Sequence, residues 1–261
     1  MYNHWITSFV ETFTNVGKGW QSHPKLSDTQ TEFHKPLIVQ VGVGTGDDTC
    51  ELTQLVKEKF NGKLVAIDWF QGNISTPDGE VIDEHNFTED DTKVDERYQN
   101  VISKLEEVGK HKFPPYNALN TTTLIKGNSH EELEKFEDNS IDILFIDGGH
   151  EYSVVKKDIE IGWKKVKPGG YICGDDYSGD YRLNKIDKVS KKDLEKDTID
   201  GIGYIKVIDN NGYLLNIPNI HAGVIKAVYE FFNGKANVNN WGRYWYYKKG
   251  ALNGKHKTSS K

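Results

Sequence analysis

Asp147, His150, Asp175 and Asp176 share one stretch, IDILFIDGGHEYSVVKKDIEIGWKKVKPGGYICGDDY. Asp147 closes one apolar run and Asp175-Asp176 follow another. If the two runs are neighbouring parallel strands, their ends lie side by side and the three carboxylates converge. Carboxylates so crowded repel unless neutralised, and oxygen ligands at that density suit a hard divalent cation, Mg²⁺ by default, with Mn²⁺ or Ca²⁺ able to substitute in part. The competing reading has Asp175 and Asp176 capping the next helix or turn. His150, three residues after Asp147, titrates near neutral pH and can take the proton of an activated hydroxyl. It can equally cap a helix starting at Glu151 or order the crevice by hydrogen bonding. Both roles stay open.

A second constellation lies upstream in LIVQVGVGTGDDT, where Gly42, Gly44 and Gly46 fall at the carboxyl end of an apolar run. Open α/β sheets bind ligands there, and glycine lets the backbone approach a ligand closely. A dinucleotide fingerprint would need a third glycine three residues after Gly44, and that position holds Asp47, which disfavours NAD. Tight strand-to-helix turns also select glycine for steric reasons alone. Asp68 ends the next apolar run, where a carboxylate can accept hydrogen bonds from both hydroxyls of a ribose.

The elements that must position these residues follow from periodicity. Leu37–Val41 reads as a first strand, and Leu52, Leu55, Val56 and Phe60 recur at helical spacing up to an Asn61-Gly62 stop. Lys63–Ile67 is a second strand ending at Asp68, and Val94, Tyr98, Val101, Ile102, Leu105 and Val108 mark a helix. Thr123–Ile125 is a third strand, and Ser129 caps a short helix through Phe136. Ile141–Ile146 is a fourth strand broken only by Asp142, and Val154, Val155, Ile159 and Trp163 mark another helix. A Lys-Pro-Gly-Gly turn then precedes a fifth strand, Tyr171–Cys173. The alternation predicts an α/β fold, a doubly wound Rossmann-like sheet with right-handed crossovers, mostly parallel with an antiparallel C-terminal strand. Residues 1–35 read as an N-terminal helical cap, from Ile6, Phe9, Val10, Phe13 and Val16. Residues 36–250 form one domain with lid insertions near 69–92 and 178–220, the second holding a hairpin around Asn211-Gly212, and 251–261 is a basic tail.

With these residues in hand, the chain resembles the class I S-adenosylmethionine (SAM) dependent methyltransferases over roughly residues 35–250. The carboxylate stretch resembles their metal-dependent O-methyltransferase subgroup, which includes antibiotic-sugar and macrolide enzymes and, more distantly, catechol O-methyltransferase. The resemblance implies that Gly42, Gly44 and Gly46 wrap the methionine part of SAM. Asp68 holds the ribose and Asn128 and Ser129 face the adenine. Asp147, Asp175 and Asp176 match the three positions that bind Mg²⁺ in the related enzymes. Two positions depart from the family pattern: Gln40 and Asn128 stand where acidic residues are common, and both keep hydrogen-bonding capacity. In catechol O-methyltransferase the position of His150 is a lysine proposed as the base, and some sugar-modifying relatives carry a carboxylate one residue earlier, where this chain has Gly149. The implied activity is SAM- and divalent-metal-dependent methylation of a hydroxyl on a sugar, glycan precursor or polyhydroxylated small molecule. The alternatives are a catechol-like phenol as acceptor, or a catalytically silent SAM-binding protein.

Composition bounds the partners. The net charge of -6, from 33 Lys plus Arg against 39 Asp plus Glu, argues against a polyanion binder. The chain also has no N/D-P-P-Y/W motif after the fourth strand, so nucleic acid is not an expected partner. No apolar run is long enough to cross a bilayer, no secretory leader is visible, and two cysteines cannot frame a disulfide scaffold, which makes cytoplasmic the default. The expected partner is a small-molecule or carbohydrate acceptor, with homo-oligomerisation left open. Trp69, Phe70, Tyr177 and Tyr181 are aromatic candidates for stacking at the crevice, and Trp241 to Tyr247 reads as terminal antiparallel strand packed in the core.

Overall fold

Alternate residues of each strand face opposite layers of helices, and this places the site. In the computed structural model, β1 (Leu37–Val41) sends Ile38 to one side and Val39 and Val41 to the other. The structure describes residues 35–72, 88, 90–112, 114–177, 205–208, 214–217, 222–238 and 244–250. The expected N-terminal cap, most of the 69–92 lid, Tyr181 and the basic tail lie outside the described residues.

After β1 come α1 (Asp47–Leu55), a π-helical turn (Val56–Phe60) and β2 (Lys63–Asp68). Asn61, at φ +49°, and Gly62 end the turn, as the Asn-Gly stop predicts. Next are α2 (Asp91–Val108), β3 (Thr122–Lys126), α3 (Ser129–Glu134), β4 (Ile141–Ile146), α4 (Tyr152–Lys165) and β5 (Val166–Gly174). β6 (Ile205–Ile208) and β7 (Leu214–Ile217) pair as the expected antiparallel hairpin, followed by α5 (Ala222–Phe232), β8 (Asn237–Val238) and β9 (Trp245–Lys248). The main sheet runs β3-β2-β1-β4-β5-β9-β8, parallel from β3 to β5 and antiparallel at β9 and β8. The order reverses between β1 and β4, the switch point at which such sheets open a crevice beyond their carboxyl ends.

One face of the sheet (Val39, Val41, Ile67, Leu144, Ile146, Ile172) is covered by Leu133 of α3, Val155 and Ile159 of α4, and Val224, Ile225 and Val228 of α5. The other face is covered by Leu52 and Leu55 of α1, and by Val94, Val101 and Leu105 of α2. Burial on both faces is why the strand sequences are runs rather than alternations. Every residue of β4 is buried, and each Ile or Leu there contributes roughly 1.5–3 kcal/mol. Asp142 is tolerated because its carboxylate accepts from Leu37 N–H at 2.8 Å and from Lys167 Nζ at 2.9 Å. Trp245 is fully buried and Trp163 packs edge-on against Phe231, Phe232 and Tyr247, so the described part of the WGRYWYY segment is core, as expected.

Two local expectations are corrected. The Lys-Pro-Gly-Gly segment is not a turn ahead of the fifth strand. β5 starts at Val166, and Lys167–Gly170 bulge from its ladder, since Ile141 pairs with Val166 but Ile143 pairs with Tyr171. Lys249, the residue after β9, takes up two of the released backbone groups, Gly169 N–H donating to its carbonyl and its own N–H donating to that of Gly170. The cap of α3 is Asn128 rather than Ser129, its side chain accepting from His130 N–H at 2.9 Å.

Candidate active site

The three turn glycines have different reasons to be glycine. At Gly42 (φ +85°) an added Cβ would lie 1.8 Å from the Asp147 carbonyl oxygen, because β1 and β4 end against each other. At Gly46 (φ +84°) it would meet the Val101 side chain at 2.8 Å. These two satisfy the steric reading. At Gly44 (φ +53°) nothing lies within 4 Å, so the open side of the turn is at its middle. Gln40, buried in β1, donates from Nε2 to the Gly42 carbonyl at 2.9 Å and accepts from the Thr49 hydroxyl at 3.0 Å. An ionised carboxylate has no donor and could not make the first contact.

Asp68 stands at the end of β2 as expected. Its carboxylate is also committed to the turn: Oδ2 accepts from Val43 N–H at 2.7 Å and Gly44 N–H at 3.0 Å, and Oδ1 from Phe70 N–H at 2.6 Å. Three of about four acceptor positions are thus used by backbone. Sequence reasoning did not anticipate this clamp. Gly127 N–H donates to the Asp68 carbonyl at 2.9 Å, which brings the Asn128-Ser129 turn beside Asp68 at the same edge of the sheet.

At the ends of β4 and β5 the structure gathers Asp147, His150 and Asp176, with one donor atom from each within 4.8 Å of the others. His150 Nε2 is 3.0 Å from Asp176 Oδ2. Asp147 is placed by its N–H donating to the Val41 carbonyl at 2.8 Å, and Asp176 takes a left-handed φ of +61° that turns its side chain back toward the crevice. Asp175 is buried beside them, but its Oδ1 accepts from Asp176 N–H at 2.6 Å and it is not among the three that converge. Burial pushes the Asp147 carboxyl well above the usual carboxylate range; the Asp175 and Asp176 charges push the same way and His150 opposes them. Glu151, not His150, occupies the N-cap of α4 and makes no side-chain capping bond.

The α5 N-terminus abuts this loop, since a Cβ on Gly223 would lie 2.3 Å from the His150 carbonyl oxygen and 2.6 Å from Tyr152 N. Of the aromatic candidates, Phe70 packs edge-on against Tyr98 with ring centroids 5.5 Å apart, and Tyr177 is core. Neither presents an open stacking face, whereas Trp69 is half-buried.

Residues 39–177, which hold the glycine turn, Asp68 and the whole carboxylate cluster, match the family model described as "Methyltransferase domain". A protein of Acanthamoeba polyphaga mimivirus, "Uncharacterized protein R132", is 57% identical over 44 residues, 17% of this chain and 20% of that protein, so the match spans a fifth of the relative's length. Among solved structures, the O-methyltransferase TomG of Streptomyces achromogenes, in complex with SAM, is similar over 84% of this chain and 75% of its own, at 13% identity and a TM-score of 0.46. A putative rRNA methylase of Clostridium thermocellum covers 83% of this chain and 89% of its own, at 14% identity and a TM-score of 0.45. An O-methyltransferase of Bacillus cereus in complex with SAH covers 82% and 74%, at 13% identity and a TM-score of 0.42. The family model takes in more than half of the chain, from the middle of β1 to just past β5, and on that ground the chain belongs to the methyltransferase-domain family.

Proposed function

We propose that the chain is a SAM- and divalent-metal-dependent O-methyltransferase that methylates a hydroxyl of a sugar, glycan precursor or polyhydroxylated small molecule. The observation that carries this reading is the convergence of Asp147, His150 and Asp176 at strand ends that touch the glycine turn through Gly42. SAM would lie over the β1–β3 ends, with Gly44 giving it room, Asp68 offering its remaining acceptor capacity to the ribose and the Asn128-Ser129 turn facing the base. The donor set fits a divalent cation: the Asp147 and Asp176 carboxylates lie within reach of one ion, with Asp175 beside them, and the crowding of these charges pushes the Asp147 carboxyl up. Asp147 and Asp176 would hold the cation, with Asp175 as the third carboxylate if its side chain is drawn from the Asp176 N–H. When bound, a cation there lowers the pKa of an acceptor hydroxyl and orients it.

The chain's own groups account for the rest. SAM, when bound, would supply the sulfonium methyl: the hydroxyl oxygen would take it as the C–S bond breaks, its electron pair staying on sulfur in S-adenosylhomocysteine (SAH). The hydroxyl proton would pass to the His150 ring nitrogen that Asp176 does not engage, while Nε2, 3.0 Å from Asp176 Oδ2, donates to that carboxylate, which orients the ring and stabilises the imidazolium. Incubating the protein with SAM, sugars and catechols side by side, with and without Mg²⁺ or Mn²⁺, tests the reading. Metal-dependent SAH release with a polyhydroxylated acceptor is expected. Release only with catechols moves the acceptor class to phenols, and none with any acceptor, despite SAM binding, leaves a silent SAM-binding protein.

A further inference from the structure

Asp158 lies in the middle of α4 on the stripe formed by Val155, Ile159 and Gly162, and it is fully buried. Neither carboxylate oxygen receives a hydrogen bond of normal geometry among the described residues. A buried acceptor without a donor costs roughly 1–3 kcal/mol, so this side chain works against stability where it stands. Its polar neighbours both come from the first turn of α3: the Ser129 hydroxyl, and the His130 ring, whose Nε2 is 3.5 Å from Oδ1. The same Nε2 is 3.3 Å from the Val154 carbonyl, one turn earlier on α4. Burial pushes the Asp158 carboxyl up to about 6, with Ser129 and His130 pulling it down. Among the described residues, those are the two side chains whose polar groups act on it.

We infer that Asp158 is a positioning residue for cofactor binding: as the buried carboxyl that the Ser129 hydroxyl and the His130 ring both face, it holds the α3 first turn, and with it Asn128 and Ser129, against the β2 end. The inference rests on the reading that SAM binds there with its base toward that turn. The geometry supplies the connection. Asn128 caps α3 by accepting from His130 N–H, so moving His130 moves Asn128, and the Gly127–Asp68 hydrogen bond joins the same turn to the strand end that carries Asp68. Apolar burial alone would fix the spacing of α3 and α4, as Leu133 and Val155 already do; it would not fix the rotation of α3's first turn.

The experiment measures SAH affinity by calorimetry and thermal unfolding side by side for the wild type, Asp158→Leu and Asp158→Asn. His130→Ala, at a partly exposed ring, serves as a variant that should fold regardless. Asp158→Leu is expected to unfold at the same temperature or higher, yet to bind SAH about tenfold more weakly. The KM for SAM should rise while kcat at saturating SAM stays near wild type, Asp158→Asn should recover part of the loss, and His130→Ala should weaken binding in the same direction. SAH affinity within twofold of wild type in Asp158→Leu and His130→Ala overturns the inference, as does a loss confined to variants that have also lost their fold. A wild type that binds no SAH overturns the cofactor reading itself.

Discussion

Asp68 is held by three backbone N–H groups, so its replacement acts on the shape of the glycine turn as well as on any ribose hydroxyl it would receive. Asp68→Ala is therefore expected to weaken SAH binding by about 1–3 kcal/mol, read by calorimetry, with unchanged affinity removing Asp68 from the site. For His150, loss of a general base predicts a fall in kcat of roughly 10²–10⁴ in His150→Ala with SAH affinity kept; a fall of less than about fivefold would make the residue structural. Asp158 gives a prediction in pH. Its folded-state carboxyl is raised from an ordinary value of 3.8 to about 6, so the folded protein holds a proton that the unfolded chain has released across that interval. Its contribution to stability is then present below about pH 4 and lost as pH rises through about 6. Urea unfolding of Asp158→Asn at several pH values should show a shallower decline between those limits than wild type. Identical slopes would show that Asp158 does not titrate there.

At the scale of elements, helix α5 carries the clearest mechanical consequence. Its Gly223 leaves no room for a Cβ against the His150 carbonyl and Tyr152 N, so Gly223→Ala must push the helix or the His150 loop aside. The expected outcome is destabilisation of about 1–3 kcal/mol in denaturant unfolding. Under the proposed function the displaced loop would lie on the acceptor side, so turnover should fall at unchanged SAH affinity; weakened SAH binding, or turnover kept, would contradict that. The strands of the sheet were legible because β1, β2, β4 and β5 are buried on both faces and so read as continuous apolar runs. The bulge in β5 was not, since Pro168-Gly169-Gly170 carries the composition of a turn, and what ties Gly169 and Gly170 down is Lys249, just past β9 and distant in sequence. The Asn128 cap was hidden by its neighbour, as Asn and Ser are equally good caps and only geometry separates adjacent candidates. Asp158 did leave a signal, an acidic residue on the apolar stripe of a helix, and His130 one turn into α3 left none.

For the whole molecule, the described sheet edge divides the candidate site into two halves built by different elements. The β1–β3 ends supply the glycine turn, Asp68 and the Asn128-Ser129 turn; the β4–β5 ends supply Asp147, His150, Asp175 and Asp176, backed by α5. The halves meet where Asp147 N–H donates to the Val41 carbonyl and where Gly42 lies against the Asp147 carbonyl, contacts made by backbone and so independent of what the carboxylates bind. Among the described residues no helix is long and apolar enough to cross a membrane. This division predicts that cofactor binding and metal dependence separate. Chelation with excess EDTA should abolish turnover while SAH affinity, measured in the same buffer, stays within about twofold, because no group of the cation's donor set belongs to the cofactor half. Asp176→Asn should reproduce the loss without chelator: it removes one charge from a cluster whose burial already disfavours ionisation of Asp147, and it weakens the partner that orients His150. Full turnover in EDTA would reassign Asp147, His150 and Asp176 to a hydrogen-bonded cluster acting without metal. A loss of SAH binding on chelation would place the cation between the two halves instead of within the second.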